Sequence, residues 1–268
     1  EAPDLAELVF GRIGSSPDDT LKGRVSFGLA VIEGEPREEA PATVVLGAPK
    51  PSYFPCYVRQ TDVTGAAGDR LYRKPQARSE GHRGPITAEY KSYMDGKGNA
   101  WAAAEIRGWK RYHPHRAFMR QQPPGPDVGV RAQTVLHPLA AGARFTGTLR
   151  FHNLLPEELG AIVWAMTWGG EAGFRHGLGT GKSLGYGQVS IALDAVRITA
   201  NAGDAPTLEA CRDAYVALME AWAASPLGLQ ERSWKGSLQL AALEAMADPG
   251  RTPADVRHMR IASNEFQT

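Results

Sequence analysis

Apolar and polar positions follow a clear period in only part of this 268-residue chain. Residues 5–13 and 22–32 ("KGRVSFGLAVI") read as β-strands joined by a polar turn, "GSSPDDT", whose Ser, Pro and Asp suit a reversal. Residues 35–58 are rich in Pro and Gly between short β-prone runs. Residues 60–126 show no sustained period, and a stretch that long without strong elements is usually functional. Alternation returns in "ARFTGTLRFHNL" (143–154), a predicted strand. Pro156, Glu157 and Glu158 then open a helix, with Pro in its first turn and carboxylates at the positive end of its dipole. It runs to Gly169–Gly170. A glycine-rich loop follows, then a predicted strand over 188–198. Two amphipathic helices are expected near 207–223 and 233–247. Leu208, Cys211, Tyr215, Leu218, Met219 and Trp222 recur at helical spacing and read as core.

Composition narrows the class. Thirty Gly and nineteen Pro favour a loop-rich protein over a helical bundle. Two cysteines, Cys56 and Cys211, cannot build a disulfide framework or a four-thiolate zinc site. No apolar run reaches the roughly 20 residues of a membrane span, so a soluble, cytoplasmic protein without a membrane partner is expected. The net charge of +1 conceals an asymmetry. Residues 59–120 hold thirteen basic and six acidic groups, and so carry +7, whereas residues 1–58 carry −4. The basic segment also contains His82, His113 and His115, interleaved with Tyr93, Trp101, Trp109 and Tyr112. It is a candidate polyanion surface, and its rings suit either base stacking or pinning a long loop.

Gly173, Gly177, Gly179, Gly181, Gly185 and Gly187 crowd one short stretch with Arg175, His176 and Lys182. Such a loop can bring backbone N–H groups close to phosphate oxygens. It is not a Walker A loop. That motif needs glycine where His176 stands, and it runs from strand to helix, whereas this loop leads from helix to strand. The Rossmann fingerprint fails the same order. Gly181-Lys182-Ser183-Leu184-Gly185 satisfies the bare G-x-S-x-G pattern but lacks the strand-to-helix setting of a nucleophile elbow. Two readings stay open: a tight structural connection, or a loop that binds a nucleic-acid backbone, with Lys182, Arg175 and His176 supplying charge.

"FTGTLRFHNLLPEELGAIVWAM…GFRHGLGTGKSLGYGQVSI" resembles the C-terminal half of RAMP-superfamily proteins of type III CRISPR effectors. The matching motif is GxGKxxGxG, carried by Gly179, Gly181, Lys182, Gly185 and Gly187. "LVFGRIGSSPDDTLKGRVSFGLA" is similar to the family's "FG…GRV.F" segment through Phe10, Gly11, Gly23, Arg24 and Phe27. "EIRGWKRYHPH" (105–115) resembles an RGWKxYxH motif of one branch. The resemblance implies an α+β fold with a ferredoxin-like (RRM-like) core. A complete member has a strand and a helix ahead of Phe10, so the resemblance implies that this chain is the larger part of a longer protein and lacks its first strand and helix. Residues 1–58 then hold partial core strands and 59–126 a basic loop-rich insertion. The core with its Gly-rich loop spans 127–200, and a helical extension spans 201–268.

The resemblance also implies a role in antiviral defence. The chain would hold the backbone of a guide CRISPR RNA for recognition of single-stranded target RNA, beside other RAMP subunits or the rest of a fused effector. Target sequence would be read by base pairing rather than by the protein. The residues expected at RNA are Lys22, Arg24, Arg107, Lys110, Arg111, His113, His115, Arg175, His176, Gly177, Gly179, Gly181, Lys182, Gly185 and Gly187. No cofactor or metal is expected. The family's catalytic Asp has no counterpart here, and Asp18 and Asp19 read as turn residues. Two rivals stand beside this reading. One is a RAMP endoribonuclease that processes guide RNA with His176 as general acid; the other is a structural adaptor that docks a protein partner. His113-Pro-His115 alone is thin evidence for a metal site.

Overall fold

The structure is a computed structural model. It describes residues 3–46, 57–58, 72–73, 89–90, 106, 111–116, 123–126 and 128–251. The fold is α+β: helices combined with short antiparallel β-ladders.

The chain divides into two compact units. One comprises residues 1–45 and 112–256, the other residues 46–111 and 257–268. In the second unit, β4 (Tyr72–Arg73) pairs antiparallel with β5 (Glu89–Tyr90), and Val58 bridges Ile106.

The first unit begins with a correction. The segment expected as a strand over 5–13 is a helix, α1 (Leu5–Phe10). Asp4 accepts the Glu7 amide at 2.8 Å, and Glu7 accepts the Asp4 amide at 3.0 Å. This capping box satisfies two N–H groups that an isolated turn would leave bare. The helix stops at Gly11, whose φ of +82° suits glycine.

The strands that follow form one long ribbon. Arg24–Val45 runs antiparallel to Gln133–His152 through three ladders. β1 (Val25–Phe27) pairs with β8 (Leu149–Phe151), with Val25 opposite Phe151. β2 (Val31–Ile32) pairs with β7 (Phe145–Thr146), with Val31 opposite Thr146. β3 (Ala42–Val45) pairs with β6 (Gln133–Leu136), with Ala42 opposite Leu136. A bridge from Glu38 to Leu139 links the last two. The register slips by one residue between the first and second ladders, where Leu29 and Ala30 face Gly147 as a bulge. The bulge divides each of the strands expected over 22–32 and 143–154 into two short pieces.

A bare two-stranded ribbon is marginal in water, and this one is braced by helices. α2 (Pro156–Thr167) follows β8 directly and starts with Pro at its first turn. It packs against α3 (Leu208–Ala224), which Thr207 caps by accepting the Ala210 amide at 3.1 Å. Leu159, Val163 and Cys211 form one buried cluster with Phe151, Leu154, Leu193, Ile198 and Leu208 around it. Close approach is possible because α2 carries Gly160 at the crossing: a Cβ there would lie 1.9 Å from the Cys211 carbonyl oxygen. A second cluster joins Ala223, Trp234 and Leu240 to Trp164, Tyr215 and Met219. It holds α4 (Leu238–Ala245), shorter than the expected helix because Ser237, as N-cap, starts it late. The strand expected over 188–198 shrinks to Gln188–Val189.

Candidate nucleic-acid interface

The glycine-rich segment is a β-hairpin rather than a plain loop between helix and strand. It is set by the C-terminal end of α2. That helix ends at Trp168, which takes the left-handed conformation (φ +54°) and is buried. A non-glycine residue there is strained. Its indole is held by the ring of His176, stacked at a centroid distance of 4.9 Å, and by the edge of Phe174. His176 Nε2 also meets the Met166 carbonyl at 2.9 Å. The Arg175 amide donates to Ala247 O at 2.9 Å, and its guanidinium to Ala172 O and Phe174 O. Arg175 and His176 therefore anchor the base of the hairpin.

From this base β9 (His176–Gly177) pairs with β10 (Gln188–Val189). The Leu178 amide donates to Gly187 O at 2.8 Å. Gly187, with φ +68°, sits so close that a Cβ would lie 1.7 Å from Leu178 O. The tip is one 3-10 turn, Lys182–Leu184, bounded by Gly181 (φ +79°, ψ +16°) and Gly185 (φ +86°, ψ +7°). Buried Leu184 plugs it from beneath. Behind Gly185 stands the buried ring of His115: a Cβ on the glycine would meet His115 Cγ at 2.8 Å.

The tip's hydrogen bonds are unevenly distributed. The amides of Leu184 and Tyr186 donate to Gly181 O, and that of Gly185 to Lys182 O. The amides of Gly179, Thr180, Gly181, Lys182 and Ser183 donate to no group among the described residues. A left-handed Gly181 followed by the right-handed turn of Lys182 directs successive N–H groups to one side, the geometry of an anion-binding concavity. Lys182 Nζ donates to Gly179 O at 2.5 Å and uses one of its three protons there. Its stem lies over Gly177, where a Cβ would meet Lys182 Cδ at 3.0 Å. The hydroxyl-bearing residues Thr180 and Ser183 flank the bare amides. In the sequence Ser183 stands out only as the serine of a bare G-x-S-x-G string, and Thr180 carries no signal beyond its place inside "GTGKS".

The remaining expected residues lie elsewhere or do different work. Arg24, expected at a phosphate, is engaged within the protein in this structure. Nε and Nη2 donate to Leu8 O, and Nη1 donates to Asn153 O. Nη1 and Nη2 also bind the two carboxylate oxygens of buried Glu158. All five guanidinium donors are thereby engaged by the protein. Arg24 also sits at the N-terminal end of α2, about 18 Å along the helix from the hairpin. Lys22 is exposed. His113 is half-buried, and its Nδ1 has no hydrogen-bond partner among the described residues. Arg111 belongs to the other unit and is half-buried; desolvation pushes its guanidinium below its ordinary pKa. Arg107 and Lys110 lie outside the described residues, as do Trp101 and Trp109. Asp18 and Asp19 fall in a 3-10 turn, and Asp19 is ion-paired with Arg12. Among the described residues, no three His, Cys, Asp or Glu side chains are placed to hold a metal ion, and no helix is long and apolar enough to cross a membrane.

A scan against family models gives no match to this chain, and a search of the curated proteins gives none either.

Proposed function

We propose that this chain is an RNA-binding subunit or domain of a type III-like CRISPR effector, built on a ferredoxin-like RAMP core. The hairpin tip holds the ribose–phosphate chain of the guide RNA. One observation carries the reading: successive bare amides at half-buried Lys182 and Ser183, following a left-handed and buried Gly181, beside a lysine with protons to spare. Amides and an ammonium bind phosphate irrespective of base, as a guide-holding protein requires. The hairpin glycines are the ones that carry the resemblance to GxGKxxGxG. Arg24 serves this assembly as a structural clamp and takes no phosphate.

The ribonuclease rival loses support from the same geometry. His176 Nε2 is committed to a helix carbonyl and its ring to Trp168, which describes an anchoring group.

The test is binding of a single-stranded RNA oligonucleotide at several salt concentrations. The affinity should fall steeply with salt. Lys182→Glu should weaken binding by about tenfold or more and lower the salt slope by about one contact, with circular dichroism unchanged. A salt-independent affinity, or a folded Lys182→Glu protein that binds as tightly as the parent, overturns the reading.

A further inference from the structure

The outer edge of the ribbon's first strand is open. The bonds from His152 N to Arg24 O and from Gly28 N to Thr148 O turn Arg24, Ser26 and Gly28 toward β8. In an antiparallel ladder the intervening backbone groups, those of Val25 and Phe27, then point away. Beyond the bulge, the Glu33 amide donates to Arg144 O. This turns Val31 and Glu33 inward and leaves Ala30 and Ile32 pointing outward. Among the described residues, nothing hydrogen-bonds to these four outward positions.

Natural edge strands are usually blunted by charge or proline. Val25–Ile32 contains neither. Its bulge alone departs from a flat edge. Its apolar side chains are also exposed: Phe27 at 60%, Leu29 at 90% and Val31 at 64%. Phe10, stacked on Phe27, and Phe145, on the same face of the ribbon as Phe27, continue the surface there, whereas Val31, opposite Thr146, lies on the other face.

We propose that this edge pairs with the same edge of a second copy of the chain, antiparallel about a twofold axis. The register follows from the bulge. Setting Val25 opposite Ile32 of the other copy sets Phe27 opposite Ala30, so every outward position meets an outward position. A bulge-free edge could pair with itself in several registers; with the bulge, this one alone matches all four outward positions. The same alignment brings the basic end of each strand, at exposed Lys22, to the acidic end of the other, at Glu33 and Glu35. The strand is thus complementary to itself in hydrogen bonds and charge. On the face shared by Phe10, Phe27 and Phe145 the exposed apolar parts amount to roughly 300–400 Å² per copy, against about 800 Å² per partner in a standard interface. That suits a weak dimer.

Sedimentation velocity of the full chain, freed of nucleic acid, from about 1 to 100 µM tests this. A monomer–dimer equilibrium is expected. Leu29→Lys should abolish the dimer, and because Leu29 is solvent-exposed its circular dichroism should not change. Lys22→Glu should weaken the dimer by about tenfold, and adding Glu35→Lys should recover most of the loss. A protein that stays monomeric across the range overturns the proposal. So does a dimer indifferent to Leu29→Lys, or a charge swap without recovery.

Discussion

Arg24 closes on Glu158 through two parallel hydrogen bonds, one to each carboxylate oxygen, and so ties the start of the ribbon to the first turn of α2. Glu158 is buried and also accepts the Leu155 amide at 2.7 Å. The pair therefore caps the helix and fixes its position on the ribbon. Replacing Arg24 with Ala strands a buried carboxylate, which costs about 3–5 kcal/mol in such pairs. Urea denaturation of Arg24→Ala should show a loss of that size. Were Arg24 a phosphate ligand instead, the substitution would leave stability unchanged and lower RNA affinity.

The crossing of α2 and α3 depends on Gly160. Alanine favours a helix by about 1 kcal/mol over glycine. At this position its Cβ would fall 1.9 Å from Cys211 O and 2.9 Å from Tyr215 Cβ. Both contacts are with packed atoms, so the helices must separate. Gly160→Ala should therefore destabilise the protein by about 2 kcal/mol or more despite its better propensity. A thermal melt showing equal or greater stability would refute the close crossing.

Glu220 supplies a pH dependence. Its carboxylate accepts the Lys235 amide at 2.8 Å and the Trp234 amide at 3.0 Å. These bonds hold its pKa below the ordinary carboxylate value, led by the one from Lys235. A folded-state pKa below the unfolded one adds stability above the unfolded value, and that stability is lost as pH falls through the folded value. The connection from α3 to α4 should loosen in this acid range. In Glu220→Gln, stability should fall less between pH 6 and pH 3 than in the parent, as followed by melting temperature.

At Gly185 two demands coincide. Its φ of +86° disfavours any side chain, and the ring of His115 occupies the space a Cβ would need. Gly185→Ala should displace the hairpin tip and weaken RNA binding, while the helical clusters around Cys211 and Trp234 keep their packing. Near-ultraviolet circular dichroism with RNA titration separates the two effects. Intact affinity in this variant would count against the tip as the binding element.

Local signals made some of the architecture legible. α2 was readable because Pro156 and the two glutamates mark its start, and α3 because its apolar positions keep helical spacing. α1 is not legible from its period: "LAELVF" is too short to distinguish helix from strand. Its deciding signal is Asp4 followed by Glu7, the capping box seen in the structure. The breaks in the ribbon strands come from a bulge whose position depends on the partner strand, which no local pattern contains. The glycines showed that 173–187 would bend. Pairing of Gly177 with Gln188, which makes it a hairpin, arises only in three dimensions. Arg24 shows the limit most clearly. Its place in a family-like motif suggested a ligand role, but its five donors are consumed by groups far along the chain.

The left-handed Trp168, stacked on His176 and edge-on to Trp164, has a practical consequence. Its indole sits at the joint between helix and hairpin, and Trp164 in turn touches Trp234. Three of the six tryptophans, Trp164, Trp168 and Trp234, therefore emit from where the anchoring of the hairpin and the packing of the helices meet. The protein carries its own optical gauge in this group, and an event that shifts the hairpin's base should change the part of the emission that comes from Trp168 without an added label.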